Sequence, residues 1–218
     1  MTLQELNQLV ALGEGLTLEF KRRVPRPERI AKEVIAFANT RGGRLLLGVD
    51  DSGTIVGVRD PDEEVFALRQ ALRRCATPPI AFTLERIQVE HRREVIVVTI
   101  EESARKPHFL RNGRHRQTYI RVEDRSIEAS PEVLALMRAE KHPRNVVFTF
   151  GEKELLLMRY LEHYGRITVQ QFAQLANLSR RQASRTLVLL TEANVLRLHP
   201  DEPHDYFTLA YNASSSAA

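Results

Sequence analysis

The chain has 218 residues, 43% of them hydrophobic, enough to bury the core of one large domain or two modest ones. Its 32 lysines and arginines against 28 acidic residues leave a formal charge of +4, a mild excess in which the placement of the arginines matters more than their number. No apolar run approaches the roughly 18 residues of a membrane span. The start, Thr2-Leu3-Gln4-Glu5-Leu6, lacks the pattern of a signal peptide, and the single cysteine, Cys75, excludes an internal disulfide and a cysteine zinc cage. A cytoplasmic protein with no membrane partner is expected.

Thr2 and Glu5 form a capping-box pattern ahead of Leu3, Leu6, Leu9 and Val10, so the chain opens with a helix that Gly13 ends. Leu16, Leu18 and Phe20 alternate with Thr17, Glu19 and Lys21, which predicts a half-buried strand. Pro27 starts a helix with the apolar stripe Ile30, Ala31, Val34, Ile35 and Ala38, closed by Gly42-Gly43. Leu45–Val49 and Thr54–Val58 flank Asp50-Asp51-Ser52-Gly53 and predict a β-hairpin. A helix follows over Pro61–Ala76, closed by Pro78-Pro79, then strands over Ile80–Val89 and Glu94–Ile100. Asn112-Gly113 signals a hairpin turn, Thr118–Val122 a strand, and Pro131–Glu140 a helix that ends the first domain. Helices interspersed among hairpins argue an α+β fold class rather than a doubly wound parallel sheet.

The composition shifts at Lys141-His142-Pro143-Arg144-Asn145. The domains expected are 1–142, a linker over 143–151, a second domain over 152–211 and a disordered tail over 212–218. In the second domain, Glu152–Tyr164 is helical, and Thr168 caps a helix containing Val169, Phe172, Ala173 and Ala176. Ser179 caps a third helix after the turn at Asn177-Leu178, and Val195–His199 pairs with Tyr206–Ala210 as a hairpin. Three helices and a hairpin in this order predict a winged helix-turn-helix. Its third helix would enter the DNA major groove, placing Arg180, Arg181, Gln182, Ser184 and Arg185 over bases and phosphates. Arginine forks onto guanine, glutamine onto adenine, and serine reaches phosphate. A winged helix can also dock onto protein, and exposed arginines are often only solvated.

The sequence blocks Glu14, Glu19-Phe20-Lys21, Ala36-Phe37-Ala38-Asn39-Thr40, Gly42-Gly43, Gly48-Val49-Asp50-Asp51 and Gly53 resemble the Schlafen/Alba-type DNA-binding domain. Ser103, Lys106-Pro107-His108 and Tyr119-Ile120-Arg121 match its later blocks, and the resemblance covers roughly residues 5–140. It implies a mixed α/β nucleic-acid-binding domain of a prokaryotic DNA-binding transcriptional regulator, with DNA as partner and no cofactor required. Lys21, Lys106, His108 and Arg121 are the first domain's candidate nucleic-acid contacts.

In nuclease-active Schlafen members two glutamates and an aspartate hold a divalent metal, and Glu14, Glu19 and Asp50 or Asp51 occupy the matching positions. The resemblance thus implies a second function, a magnesium- or manganese-dependent endoribonuclease acting on tRNA or structured RNA. The odd spacing of Glu14 and Glu19 puts them on opposite faces of a straight strand, so they converge only through a bend at Gly13 or Gly15. A simpler reading pairs Glu19 with Lys21 and leaves Asp50 and Asp51 as turn residues. A third makes the first domain a protein-interaction or nucleotide-sensing module. Homodimers are common for winged helices on palindromic DNA, although the sequence shows no strong dimer seam.

Overall fold

A computed structural model describes residues 1–112, 115–141 and 150–211. It divides the chain into two compact units, Met1–Glu128 and Ala129–Ala218. In the first unit, α1 (Leu3–Ala11) begins with the predicted capping box, Thr2 and Glu5 each satisfying the other's backbone N–H. Strand β1 (Leu18–Lys21) leads to α2 (Pro27–Asn39), and β2 (Gly43–Leu47) follows. Helix α3 (Pro61–Cys75) is capped by Asp60 and runs into the two-residue β3 (Ala76–Thr77). The long pair β4 (Thr83–Glu90) and β5 (Arg93–Ile100) completes a sheet ordered β1-β2-β5-β4. Only β1 and β2 run parallel within it.

Side-chain alternation on β2 divides the core into two layers. Leu45 and Leu47 face α2 and α3 with Ile96 and Val98, whereas Leu46 faces Leu6 of α1 with Phe20, Val95 and Val97. Leu6 is α1's fully buried anchor. The turn from α2 into β2 depends on Gly42, whose φ is +71°. A Cβ there would stand 2.5 Å from the Ile100 carbonyl oxygen, so the backbone approaches β5 where only glycine fits.

Two further small sheets are formed in the first unit. Strand β6 (Phe109–Asn112) pairs with β3 and with β7 (His115–Gln117), and β8 (Tyr119–Val122) pairs with β9 (Arg125–Glu128). Helix α2 packs against both β6 and β8. The predicted hairpin of Leu45–Val49 with Thr54–Val58 is corrected: only Val49 and Ile55 form a bridge across the Asp50 turn. Strand β2 is instead a central strand whose two edges are occupied by β1 and β5, leaving no edge for a hairpin partner. The expected tight turn at Asn112-Gly113, most of the expected linker and the 212–218 tail lie outside the described residues.

The second unit begins with α4 (Pro131–Lys141), followed by α5 (Glu152–Tyr164), α6 (Val169–Leu175) and α7 (Arg180–Glu192). Strands β10 (Leu196–His199) and β11 (Tyr206–Leu209) form an antiparallel hairpin. Leu157, Leu161, Phe172, Leu187 and Phe207 fill its core. Helix α4, expected to close the first domain, packs on α7 instead, where buried Glu132 accepts a hydrogen bond from Ser184. Ser130 also donates to Asp205, tying the start of α4 to the hairpin loop.

Candidate nucleic-acid interface

The bend before β1 forms as its glycines permit. Gly13 has φ +76°, Gly15 bridges Leu18, and Glu14 turns back so that its Oε1 accepts the Phe20 N–H at 2.8 Å. Glu14 and Glu19 therefore meet, but around Lys21. The Lys21 ammonium bonds the Glu19 carboxylate and the Phe20 carbonyl and lies 4.0 Å from Glu14. Burial pushes the Glu14 carboxyl above its ordinary value, opposed by the Phe20 N–H and reinforced by the negative charges of Glu19 and Asp51.

The other Glu19 oxygen is bound by an arginine distant in the sequence. Arg121, completely buried in β8, donates from Nη1 to Glu19 at 2.9 Å, to Glu33 at 3.2 Å and to Ser126 at 3.2 Å, and from Nη2 to the Gly15 carbonyl at 2.6 Å. Its guanidinium lies 4.9 Å from the Phe37 ring centroid, and Ser126 also donates to Glu33. The expected phosphate contact by Arg121 is thus corrected to an internal ion-pair network. Glu33 and Ser126, which sequence reasoning missed, are part of it.

Asp50 belongs to its own turn. Its Oδ1 accepts from the Ser52 hydroxyl at 2.6 Å and the Ser52 and Thr54 N–H groups at 3.1 and 3.0 Å, and these bonds, led by the Ser52 hydroxyl, hold its carboxyl below the ordinary range. With Glu19 engaged by two cations and Asp50 by its turn, the three carboxylates do not fit a shared divalent ion. Among the described residues no three His, Cys, Asp or Glu side chains are grouped to hold one. The adjoining cleft, about 730 Å³, carries Glu14, Asp51 and Asp124 on its wall, the wrong sign for phosphate.

His108 is also corrected, from an exposed contact to a fully buried residue. Its Nδ1 lies 2.9 Å from the Pro78 carbonyl, which can only accept, so Nδ1 carries a proton, and Nε2 shares a hydrogen bond with the Ser103 hydroxyl at 2.6 Å. Asn39, at the end of α2, fixes the same segment and β8: its amide donates to the His108 and Tyr119 carbonyls and its oxygen accepts the His108 N–H. Lys106 pairs with Glu102 at 2.7 Å. The cations nominated in the first unit therefore all have protein partners.

In the second unit, Gln182 and Ser179 complete a capping box, so the glutamine Oε1 is occupied by the Ser179 N–H and hydroxyl rather than free to read adenine. Ser184 faces Glu132. Arg180, Arg181 and Arg185 are exposed and have no hydrogen-bond or ion-pair partner among the described residues. Arg181 and Arg185, four residues apart, share one face of α7.

A model of the Schlafen AlbA_2 family matches residues 14–130, more than half of the sequence. The chain belongs to this family. Schlafen AlbA_2 membership fits the mixed α/β architecture and supports a nucleic-acid-related function. Among solved structures, the chain resembles the DIP2311 protein of Corynebacterium diphtheriae at 18% identity and TM-score 0.43, covering 70% of this chain and 31% of that one. It also resembles the N-terminal domain of a RecG-related protein of Nitrosomonas europaea at 22% identity and TM-score 0.40, covering 60% and 91%. The chain thus spans about a third of the Corynebacterium protein. No helix among the described residues is long and apolar enough to cross a membrane.

Proposed function

We propose that this Schlafen AlbA_2 protein binds duplex DNA, as a prokaryotic transcriptional regulator would, through a winged helix-turn-helix in its second unit. The carrying observation is α7, whose Arg181 and Arg185 are exposed side by side without partners while its Ala183, Leu187 and Leu190 are buried. The order α5-α6-α7-β10-β11 supports α7 as the recognition helix, and Arg197, exposed on β10, adds a cation at the hairpin. Helix α4 covers the Ser184 flank of α7, which leaves the Arg181 and Arg185 face as the one presented to a groove. The regulatory step rests on the DNA reading alone.

Fluorescence anisotropy with labelled duplex DNA over a salt series tests this reading. Binding is expected to weaken steeply with salt, and Arg181→Ala or Arg185→Ala to weaken it by about 1–3 kcal/mol if the arginine reads a base. Equal affinity in wild type and both variants would remove α7 as the reading surface.

A further inference from the structure

The first unit holds a second concentration of positive charge that neither the family motifs nor the α7 reading uses. The C-terminal end of β1 and the N-terminal end of β5 lie at the same edge of the sheet, because β1 is parallel and β5 antiparallel to β2 between them. Arg22 and Arg23 leave β1 there, Arg93 opens β5, and the segment Val56-Gly57-Val58-Arg59 bridges back onto Glu94. These residues, Glu94 apart, line a cleft of about 200 Å³ in which every charged side chain is an arginine.

The four guanidinium groups are not equivalent. Arg93 forms a fixed floor: it is about one-quarter exposed, and its Nη1 donates to the Val56 and Gly57 carbonyls at 3.1 Å each. Glu90 lies 4.0 Å from its Nε, and Glu64 lies 3.5 Å from the Nε of exposed Arg23 while also accepting the Val24 N–H. Asp60 nearby caps α3, and Asp62 pairs with Arg86. That leaves Arg22 and Arg59, both exposed and without a hydrogen-bond or ion-pair partner among the described residues. Four like charges crowd one cleft, Arg22 also lies within electrostatic reach of the Asp50 carboxylate, and an anion between the guanidinium groups would relieve their mutual repulsion.

We propose that Arg22, Arg23, Arg59 and Arg93 form a seat for one backbone phosphate of bound DNA. The proposal rests on the DNA-binding reading above and gives the first unit its point of contact. Guanidinium forks match the oxygens of a phosphate in pairs. The volume sets the size of the ligand: small-molecule sites run to about 300–1,000 Å³, so a cleft of about 200 Å³ takes a single phosphoryl group of a chain lying across it, not a buried nucleotide. The backbone N–H groups of Val56, Gly57 and Val58 are bonded within the fold, so the arginines supply the binding.

The test compares the 218-residue wild type with Arg22→Gln/Arg59→Gln, substitutions at exposed positions, by anisotropy on labelled duplex DNA. Losing one phosphate contact should weaken binding about fivefold at 0.15 M salt and make the log–log salt slope shallower by about 0.9. Arg69→Gln/Arg73→Gln removes the same charge from the exposed face of α3 and should change neither. Unchanged affinity and slope in the cleft variant, with wild type binding normally, would overturn the seat and leave the α7 reading intact. An equal loss in the α3 variant would also overturn it, as an effect of net charge. Failure of the wild type to bind would remove the underlying DNA reading and this proposal with it. Calorimetric titration with inorganic phosphate separates the sources. Saturable phosphate binding lost in the cleft variant, with DNA affinity unchanged, would replace the backbone assignment with a free-phosphate site.

Discussion

Replacing Arg121 by methionine should destabilise the first unit without acting on DNA directly. The guanidinium is completely buried and makes four hydrogen bonds, two of them to the carboxylates of Glu19 and Glu33. Removing one member of such a network leaves the other charges buried and uncompensated, at a cost of about 3–5 kcal/mol. That is a large fraction of the roughly 5–15 kcal/mol that holds a domain folded. Arg121→Lys keeps the charge, but one ammonium cannot span Glu19, Glu33, Ser126 and the Gly15 carbonyl as the fork does, so a loss of about 2 kcal/mol is expected. Urea denaturation gives the magnitude, and hydrogen exchange along the β1–β2 ladder assigns it to the first unit. Because the partners share one network, Glu19→Gln combined with Arg121→Met should cost less than the two single changes together. An Arg121→Met protein within 1 kcal/mol of wild type but defective in DNA binding would refute the reasoning and return this arginine to the phosphate-contacting role.

Asn39→Ala removes the acceptor of the His108 N–H and a donor to the His108 and Tyr119 carbonyls, the first of which keeps the Thr118 hydroxyl, and should cost about 2–3 kcal/mol in the same denaturation experiment. Gly42→Ala places a Cβ 2.5 Å from the Ile100 carbonyl oxygen at a φ of +71°, and a lowered melting temperature reflecting about 2–4 kcal/mol is expected. In the second unit, burial raises the Asp205 carboxyl above its ordinary value, with its bonds from Ser130 and the Asp201 N–H opposing. The folded state therefore holds this proton more tightly than the unfolded state, so unfolding free energy falls as pH rises from the ordinary aspartate value through the raised one. Asp205→Asn removes that titration while keeping an acceptor for the Asp201 N–H, and denaturation series from pH 3 to 7 should show the fall reduced.

The helices were legible because their signals are local. The capping box Thr2/Glu5, the N-cap Ser179 and the apolar stripe of α2 are each contained in a few consecutive residues. The same economy misled at Gln182: a glutamine three residues after a serine N-cap is a capping signal as much as a base reader, and the cap occupies it. Arg121 was illegible for the opposite reason. Strand alternation beside Ile120 gives it an outward face, yet that face is covered by Glu19, 102 positions away, and Glu33, 88 positions away. His108 is fixed likewise by Pro78, 30 positions back. The arginine cleft escapes notice because its cations come from three segments, each of which reads alone as an ordinary solvated turn.

The odd spacing of Glu14 and Glu19 shows where sequence reasoning stops. It fixes the requirement that the chain bend before β1, and Gly13 and Gly15 supply the bend. Convergence of two carboxylates then demands a positive charge between them, since two unscreened anions at such a distance repel. What supplies that charge depends on the residues that fill the gap. Here Lys21 reaches both glutamates from the same strand, and Arg121 arrives from β8 to bind the remaining Glu19 oxygen. Glu19 is therefore engaged by two of the protein's own cations, Glu14 accepts the Phe20 N–H, and Asp50 is committed to its turn. The proposed phosphate seat begins one residue beyond Lys21, at exposed Arg22.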